Sequence, residues 1–367
     1  MGSRRRFLFG AGMALGMRGV GAAERAAGGV PVVHVTDLYR PHEDPDDHWD
    51  LASLFALAHG GDVDLRGVMI DYPPKGKAKD PDVMAVAQMN YLTGKAVPVW
   101  TGAPAGAQGA ALSGARSLHE VLRGSKRRVV IHVVGSSRDV AAAAKMEPRL
   151  FAEKCAGVYL NAGSGTQDRA KAADLEYNVK LDPASYAAMF ELPCPLYWMP
   201  CFEHAKGPFR VGQWGTYYSF RHADVLPALS QRVQNYFLMM YRHGQAAKKG
   251  EVESAGAWNW LRGMDAPVDA GQVAALGPTL RAMWCTAGFL HTAGKTVTRE
   301  GEIVALGATK EPVFTFDPIR VKCGANGVTE WEADAKARQR WIFHVRDAER
   351  YGAAMAAALR WLLKRLP

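Results

Sequence analysis

Residues 30–58 read VPVVHVTDLYRPHEDPDDHWDLASLFALA. The stretch opens on a continuous apolar run and closes, from Asp46 to Ala58, on an apolar helical pattern. Runs that do not alternate are expected of strands covered on both faces. Between strand and helix the chain is acidic: residues 37–51 hold five aspartates and one glutamate. Crowded like charges repel unless a positive charge stands among them. As a helix start, Asp44 would be the N-cap and Pro45 the first helical residue, with Asp46 and Asp47 favoured by the helix dipole. That leaves Asp37, directly after the strand, without a role. A hard cation gives it one, because calcium takes about six to eight oxygen ligands, often carboxylates.

The same alternation continues outward. Strand-like VDLRGVMI (63–70), VPVW (97–100), VVIHVVG (129–135) and GVYLNAG (157–163) are interleaved with helical DPDVMAVAQMNYL (80–92), SLHEVLRG (117–124) and DVAAAAKM (139–146). This pattern predicts an α/β, Rossmann-like fold, a mainly parallel central sheet with helices on both faces. Ligands of such sheets bind beyond the carboxyl ends of the strands. After about residue 200 the pattern loosens. GPFRVGQWGTYYSF (207–220) is aromatic and glycine-rich, residues 222–244 read as one long helix, 293–327 as turns and short strands, and 347–366 as a closing amphipathic helix. No repeat or linker interrupts residues 29–367, which read as a single domain.

Residues 1–28 differ. SRRRFLFGAGMALGM joins a basic start to an apolar stretch, with small residues following, the layout of an export signal. Its arginines ahead of Phe7 and Leu8 resemble a twin-arginine leader, cleaved near Ala22 or Ala23, which places the mature chain in the periplasm or outside the cell. The leader holds five arginines against one glutamate, so about +5 of the formal +9 remains in the mature chain. Those basic residues are dispersed, without the stacked aromatic stripe of a nucleic-acid footprint. No run is long and apolar enough for stable membrane insertion once the leader is removed. Of Cys155, Cys194, Cys201, Cys285 and Cys323, none forms a CxxC pair. An oxidising compartment would permit a Cys194–Cys201 bridge, but buried free thiols are the expectation for most of them.

A second stretch carries a resemblance. Residues 129–191 contain VVIHVVGSSRDVAAAAKMEP and, after another strand, ADLEYNVKLDPASYAA. With TDLYRPHEDPDDHWDLA they resemble the inosine-uridine preferring nucleoside hydrolases over roughly residues 30–200. The resemblance implies cleavage of the N-glycosidic bond of ribonucleosides or related ribosides by a Ca2+-bound water. It makes Asp37 and Asp47 calcium ligands with the backbone carbonyl of Val134, and Asp37 also the base for that water. Asp46 would touch the water and a ribose hydroxyl, and Glu176 and Asn178 would hold ribose hydroxyls. Aromatic residues among Trp214, Tyr217, Tyr218 and Trp260 are expected to meet the leaving base. The implied partner is a small-molecule nucleoside or riboside, not a nucleic acid, and a homo-oligomer is compatible with it.

Two departures mark the chain. Eight residues separate Asp37 from Asp46, where the family has about three. The family's late His-Asp pair falls in RAMWCTAGFLHTAG, which holds no carboxylate; His291 is its histidine, and Asp265 and Asp269 are the nearest substitutes. Another glycoside-cleaving activity, or riboside or sugar binding without catalysis, therefore stand as alternatives.

Overall fold

The computed structural model describes residues 28–40, 46–74, 79–249 and 257–367. The leader (1–28, but for its last residue) and the expected N-cap Asp44 lie outside them. The main sheet has nine strands among these residues. They are β1 (Val30–Thr36), β2 (Val63–Ile70), β3 (Val99–Thr101), β4 (Val129–Val133), β5 (Cys155–Asn161), β6 (Leu196–Met199), β7 (Phe314–Cys323), β8 (Thr329–Ala333) and β9 (Arg340–Val345). In space they run β8-β7-β9-β6-β5-β4-β1-β2-β3. Every pairing from β9 to β3 is parallel; only β7 pairs antiparallel, with β9 and β8. The mainly parallel α/β sheet expected from sequence is therefore present, with an antiparallel edge added late in the chain.

All seven residues of β1 are buried, as its unbroken apolar run requires. Helix α1 (Asp46–His59) starts on Asp46 and Asp47 and is buried from Asp47 to Ala58. A helix apolar on every side belongs in a core. It packs against β2, against α2 (Val83–Thr93) and against the C-terminal helix. Its Trp49 stacks on Phe237 at 3.7 Å. At its start the buried His48 Nε2 meets Asp82 Oδ2 at 3.0 Å, and Asp82 caps α2 by accepting from the Ala85 N–H.

Two expectations change, and the cysteines are as expected for most of them. Residues 222–244 are not one helix: a turn of helix at His222–Val225 and a 3-10 turn at Leu226–Ala228 precede the long helix Gln231–Lys248. Pro227 lacks the N–H to continue the ladder. Residues 293–327 include the ten-residue β7 of the main sheet as well as short strands. All five cysteines are free. Cys194 and Cys201 lie at opposite ends of β6, too far apart to bridge at ~3.3 Å per residue. The thiol hydrogen-bonded to Cys194 is Cys155, whose pKa burial pushes up. No helix among the described residues is long and apolar enough to cross a membrane.

Candidate active site

Four neighbouring strands end at one cavity of about 520 Å³. Asp37 follows β1, Val134 follows β4, Asn161 closes β5 and Cys201 lies two residues past β6. Asp46 and Asp47 enter from the start of α1, and Glu176 and Asn178 from the start of the short helix Tyr177–Leu181. All six residues singled out from sequence, Asp37, Asp46, Asp47, Val134, Glu176 and Asn178, line this cavity.

Asp47, Glu176, Asn178 and the Val134 carbonyl are held by hydrogen bonds. Thr36 Oγ1, at the end of β1, donates to Asp47 Oδ1 at 2.6 Å. Glu176 is buried and spans two segments: Oε2 accepts from the Gly163 N–H and Oε1 from the Asn178 N–H, both at 2.9 Å. Burial raises the Glu176 pKa, and these N–H donors oppose the rise. Asn178 Nδ2 donates to the Val134 carbonyl at 3.0 Å and to the Asn161 carbonyl at 3.3 Å. Tying three loops together, Glu176 and Asn178 leave the unused lone pairs of their oxygens for a ligand.

Beneath the carboxylates lies Asp71, a residue the sequence reading did not select. It follows β2, is fully buried, and accepts from the Ser136 N–H. Burial first, and then the charge of Asp37, push its pKa well above the usual carboxylate range. A Cβ on Gly135 would meet Asp71 Oδ2 and stand 2.8 Å from the Asp37 backbone nitrogen. Only a glycine lets the loop after β4 approach β1 this closely. Asp71 stood in an apolar run's wake as Asp37 does, and that position was its one signal.

The expected substitutes for a late acid are elsewhere. Asp265 is bound at the surface by Tyr91 Oη and Arg232 Nε. Asp269 caps a helix through the Gln272 N–H. His291 lies in the core, its Nδ1 2.7 Å from Tyr159 Oη. The residues of that region that reach the cavity are Trp284 and Cys285, just ahead of the helix Thr286–Thr292. Cys285 Sγ donates to Asn161 Oδ1 at 3.0 Å; burial and the neighbouring Asp50 carboxylate raise its pKa.

The aromatic expectation is corrected as well. The rings lining the cavity are Tyr39, Tyr177, Phe202, Phe209 and Trp284. Trp214 instead packs on Trp331 and His344, and Tyr218 is buried against Thr286. Trp260 lies near His243, and Tyr217 forms a second row behind Phe202 and Trp284. Sequence proximity to a glycine-rich loop does not tell which rings face inward.

The oxygen donors Asp37, Asp46, Asp47 and the Val134 carbonyl are of the type a hard divalent cation takes. Among the described residues, no three His, Cys, Asp or Glu side chains are grouped closely enough to hold a metal ion. His42, Glu43 and Asp44, in the adjoining loop, lie outside those residues.

No family model and no curated protein matches the chain. Solved structures do. The type III effector protein XopQ, in complex with adenosine diphosphate ribose, aligns with a TM-score of 0.53 and 14% identity, over 93% of this chain and 96% of its own. An inosine-uridine preferring nucleoside hydrolase from Bacillus anthracis is 15% identical over 92% of this chain and 100% of its own, with a TM-score of 0.49. A plant nucleoside hydrolase is 13% identical over 90% and 98%, with a TM-score of 0.49. Nucleoside hydrolases are thus among the structures this chain is similar to, and at these identities the likeness is one of fold.

Proposed function

We propose that the chain is a hydrolase of the N-glycosidic bond of ribonucleosides or related ribosides, working with calcium. What supports the reading is that Asp37, Asp46, Asp47, Val134, Glu176 and Asn178 all line one cavity beyond the parallel strands. N-glycosidic cleavage passes through an oxocarbenium-like sugar, and carboxylates fixed beside it stabilise that charge. In this reading Asp46, Glu176 and Asn178 accept from or donate to the ribose hydroxyls and orient the sugar. Asp37 takes the proton of the attacking water as base. Asp37, Asp47 and the Val134 carbonyl would hold the cation, which when bound lowers the pKa of water and orients it.

Riboside binding without catalysis is the second reading. It is favoured by Trp284 and Cys285 reaching the cavity from the region where the family that the sequence resembles carries its late His-Asp pair. Purified protein assayed against ribonucleosides, nitrophenyl ribosides and adenosine diphosphate ribose, with calcium and with chelator, separates the two. Calcium-dependent release of free sugar supports hydrolysis; tight binding with no release supports the binder. We also propose that residues 1–28 direct export in the folded state. Lysine at Arg4, Arg5 and Arg6 is expected to trap the precursor in the cytoplasm, and unchanged periplasmic yield would count against it.

A further inference from the structure

The base of a neutral nucleoside departs as an anion unless it is protonated as the bond breaks, and a positioned acid is worth about 10²–10⁴-fold in rate. Among the described residues lining the cavity there is no histidine. Away from the carboxylates the wall is aromatic. Phe202 and Phe209 stack at 4.8 Å, and Trp284 meets them edge to face at 5.7 and 6.0 Å. Two buried cysteines, Cys201 and Cys285, line the cavity beside this wall. Lys79, the one basic residue among the described lining, stands 5.8 Å from the Tyr39 ring. That ring, two residues past Asp37 in the chain, lines the same cavity as the carboxylates. Among the described lining residues, four carboxylates, Asp37, Asp46, Asp47 and Glu176, stand against this one lysine.

With Asp37 and Asp47 given to the metal ion, Asp46 and Glu176 on one side and aromatic faces on the other still attract a flat cation. We propose that the cavity selects ribosides whose leaving group is already positively charged, N-ribosyl pyridinium salts, and that Trp284 and Phe209 set this preference. The proposal rests on riboside hydrolysis at this cavity. Its step balances without a protein acid. The water oxygen bonds to C1′ while the C1′–N bond breaks, and that bond's electron pair goes to the ring nitrogen. The ring leaves as a neutral pyridine. The water's proton passes to the Asp37 carboxylate and on to solvent. A neutral purine or pyrimidine would leave as an anion among those carboxylates unless a proton reached it as the bond broke.

The test compares nicotinamide riboside with inosine and uridine on the full-length protein, wild type and two variants, with calcium present. Phe209→Ala alters a ring that is 58% exposed, so the fold should survive it; Trp284→Leu alters a buried one. The wild-type kcat/KM for nicotinamide riboside is expected to exceed that for either nucleoside by at least about 100-fold, the contribution of the positioned acid that a neutral base needs and a pyridinium does not. Both variants should lower the pyridinium-to-inosine ratio by about tenfold through loss of the cation–ring contact. Inosine or uridine turned over within about threefold of nicotinamide riboside would overturn the preference and leave riboside hydrolysis standing. A ratio unmoved by Phe209→Ala and by a folded Trp284→Leu would overturn the role of the aromatic wall. No free ribose from any of the three would overturn both the preference and the hydrolase reading.

Discussion

Asn178 Nδ2 donates to the backbone carbonyl of Val134 at 3.0 Å, joining the loop after β4 to the helix start that carries Glu176. The carbonyl proposed as a cation ligand is thus oriented by a residue proposed to hold the ribose. Asn178→Ala removes that bond and the one to the Asn161 carbonyl. It should lower kcat/KM by about 10–100-fold and weaken calcium binding, at a stability cost of about 1–2 kcal/mol. Steady-state kinetics and calcium titration of the variant check this; unchanged values in both would separate Asn178 from the site.

Gly135 is tightly packed between Asp71 and the Asp37 backbone. Gly135→Ala forces its new methyl against Asp71 and the Asp37 backbone. The expected cost is about 1–3 kcal/mol from overpacking, with activity falling further than stability because Asp37 moves. Thermal melts alongside kinetics give the comparison. A variant as stable and as active as the wild type would show that the loop has room.

The buried histidines make the fold acid-sensitive. His34, in the middle of β1, is fully buried edge-on to Phe289 at 5.7 Å, and burial lowers its pKa to about 3. Its neighbour in register, His132 on β4, is also lowered by burial. A histidine depressed on folding is neutral in both states above its ordinary pKa near 6.5. As pH falls below that, the unfolded chain takes a proton that the folded one refuses. The stability at stake is present above about pH 6.5 and is lost toward pH 3, roughly 3 kcal/mol from His34 by pH 4. Denaturant unfolding of wild type and His34→Leu should diverge across that window in the variant's favour. Parallel pH curves would refute the assignment.

Asp47 discriminates a cation site from a helix start. With a cation among the carboxylates, Asp47→Asn weakens metal binding, yet in chelator it relieves repulsion from Asp37 and Asp46 and stabilises slightly. As a mere first-turn residue, Asp47→Asn would instead lose about 0.3–1 kcal/mol with or without calcium. Melting curves in calcium and in EDTA give opposite signs for the two cases. A wild-type melting temperature indifferent to calcium, with a less stable variant in EDTA, leaves only the helix start.

Much of this was legible because covered parallel strands announce themselves as unbroken apolar runs. β1, β4 and β5 were each visible that way, and Asp37 and Val134 were marked by lying just past such runs. The late strands were not. β7 alternates in burial and contains Pro318, which argues against a strand unless the sheet geometry is known. Trp284 and Cys285 were hidden for a different reason: they reach the cavity from a short turn before a helix, where no periodicity points to a face. The orientation of rings is likewise a tertiary property, so Phe202 and Phe209 could not be told from Trp214 and Tyr218.

Release of free ribose by wild type and Asp37→Asn, measured side by side with and without calcium, tests the central claim most directly. Asp37→Asn keeps the size of the side chain but cannot take the water's proton. The account predicts calcium-dependent ribose release by the wild type and a fall of at least about 10²–10⁴-fold in the variant, with the riboside still bound. Equal release by both proteins, or release indifferent to calcium, would contradict it.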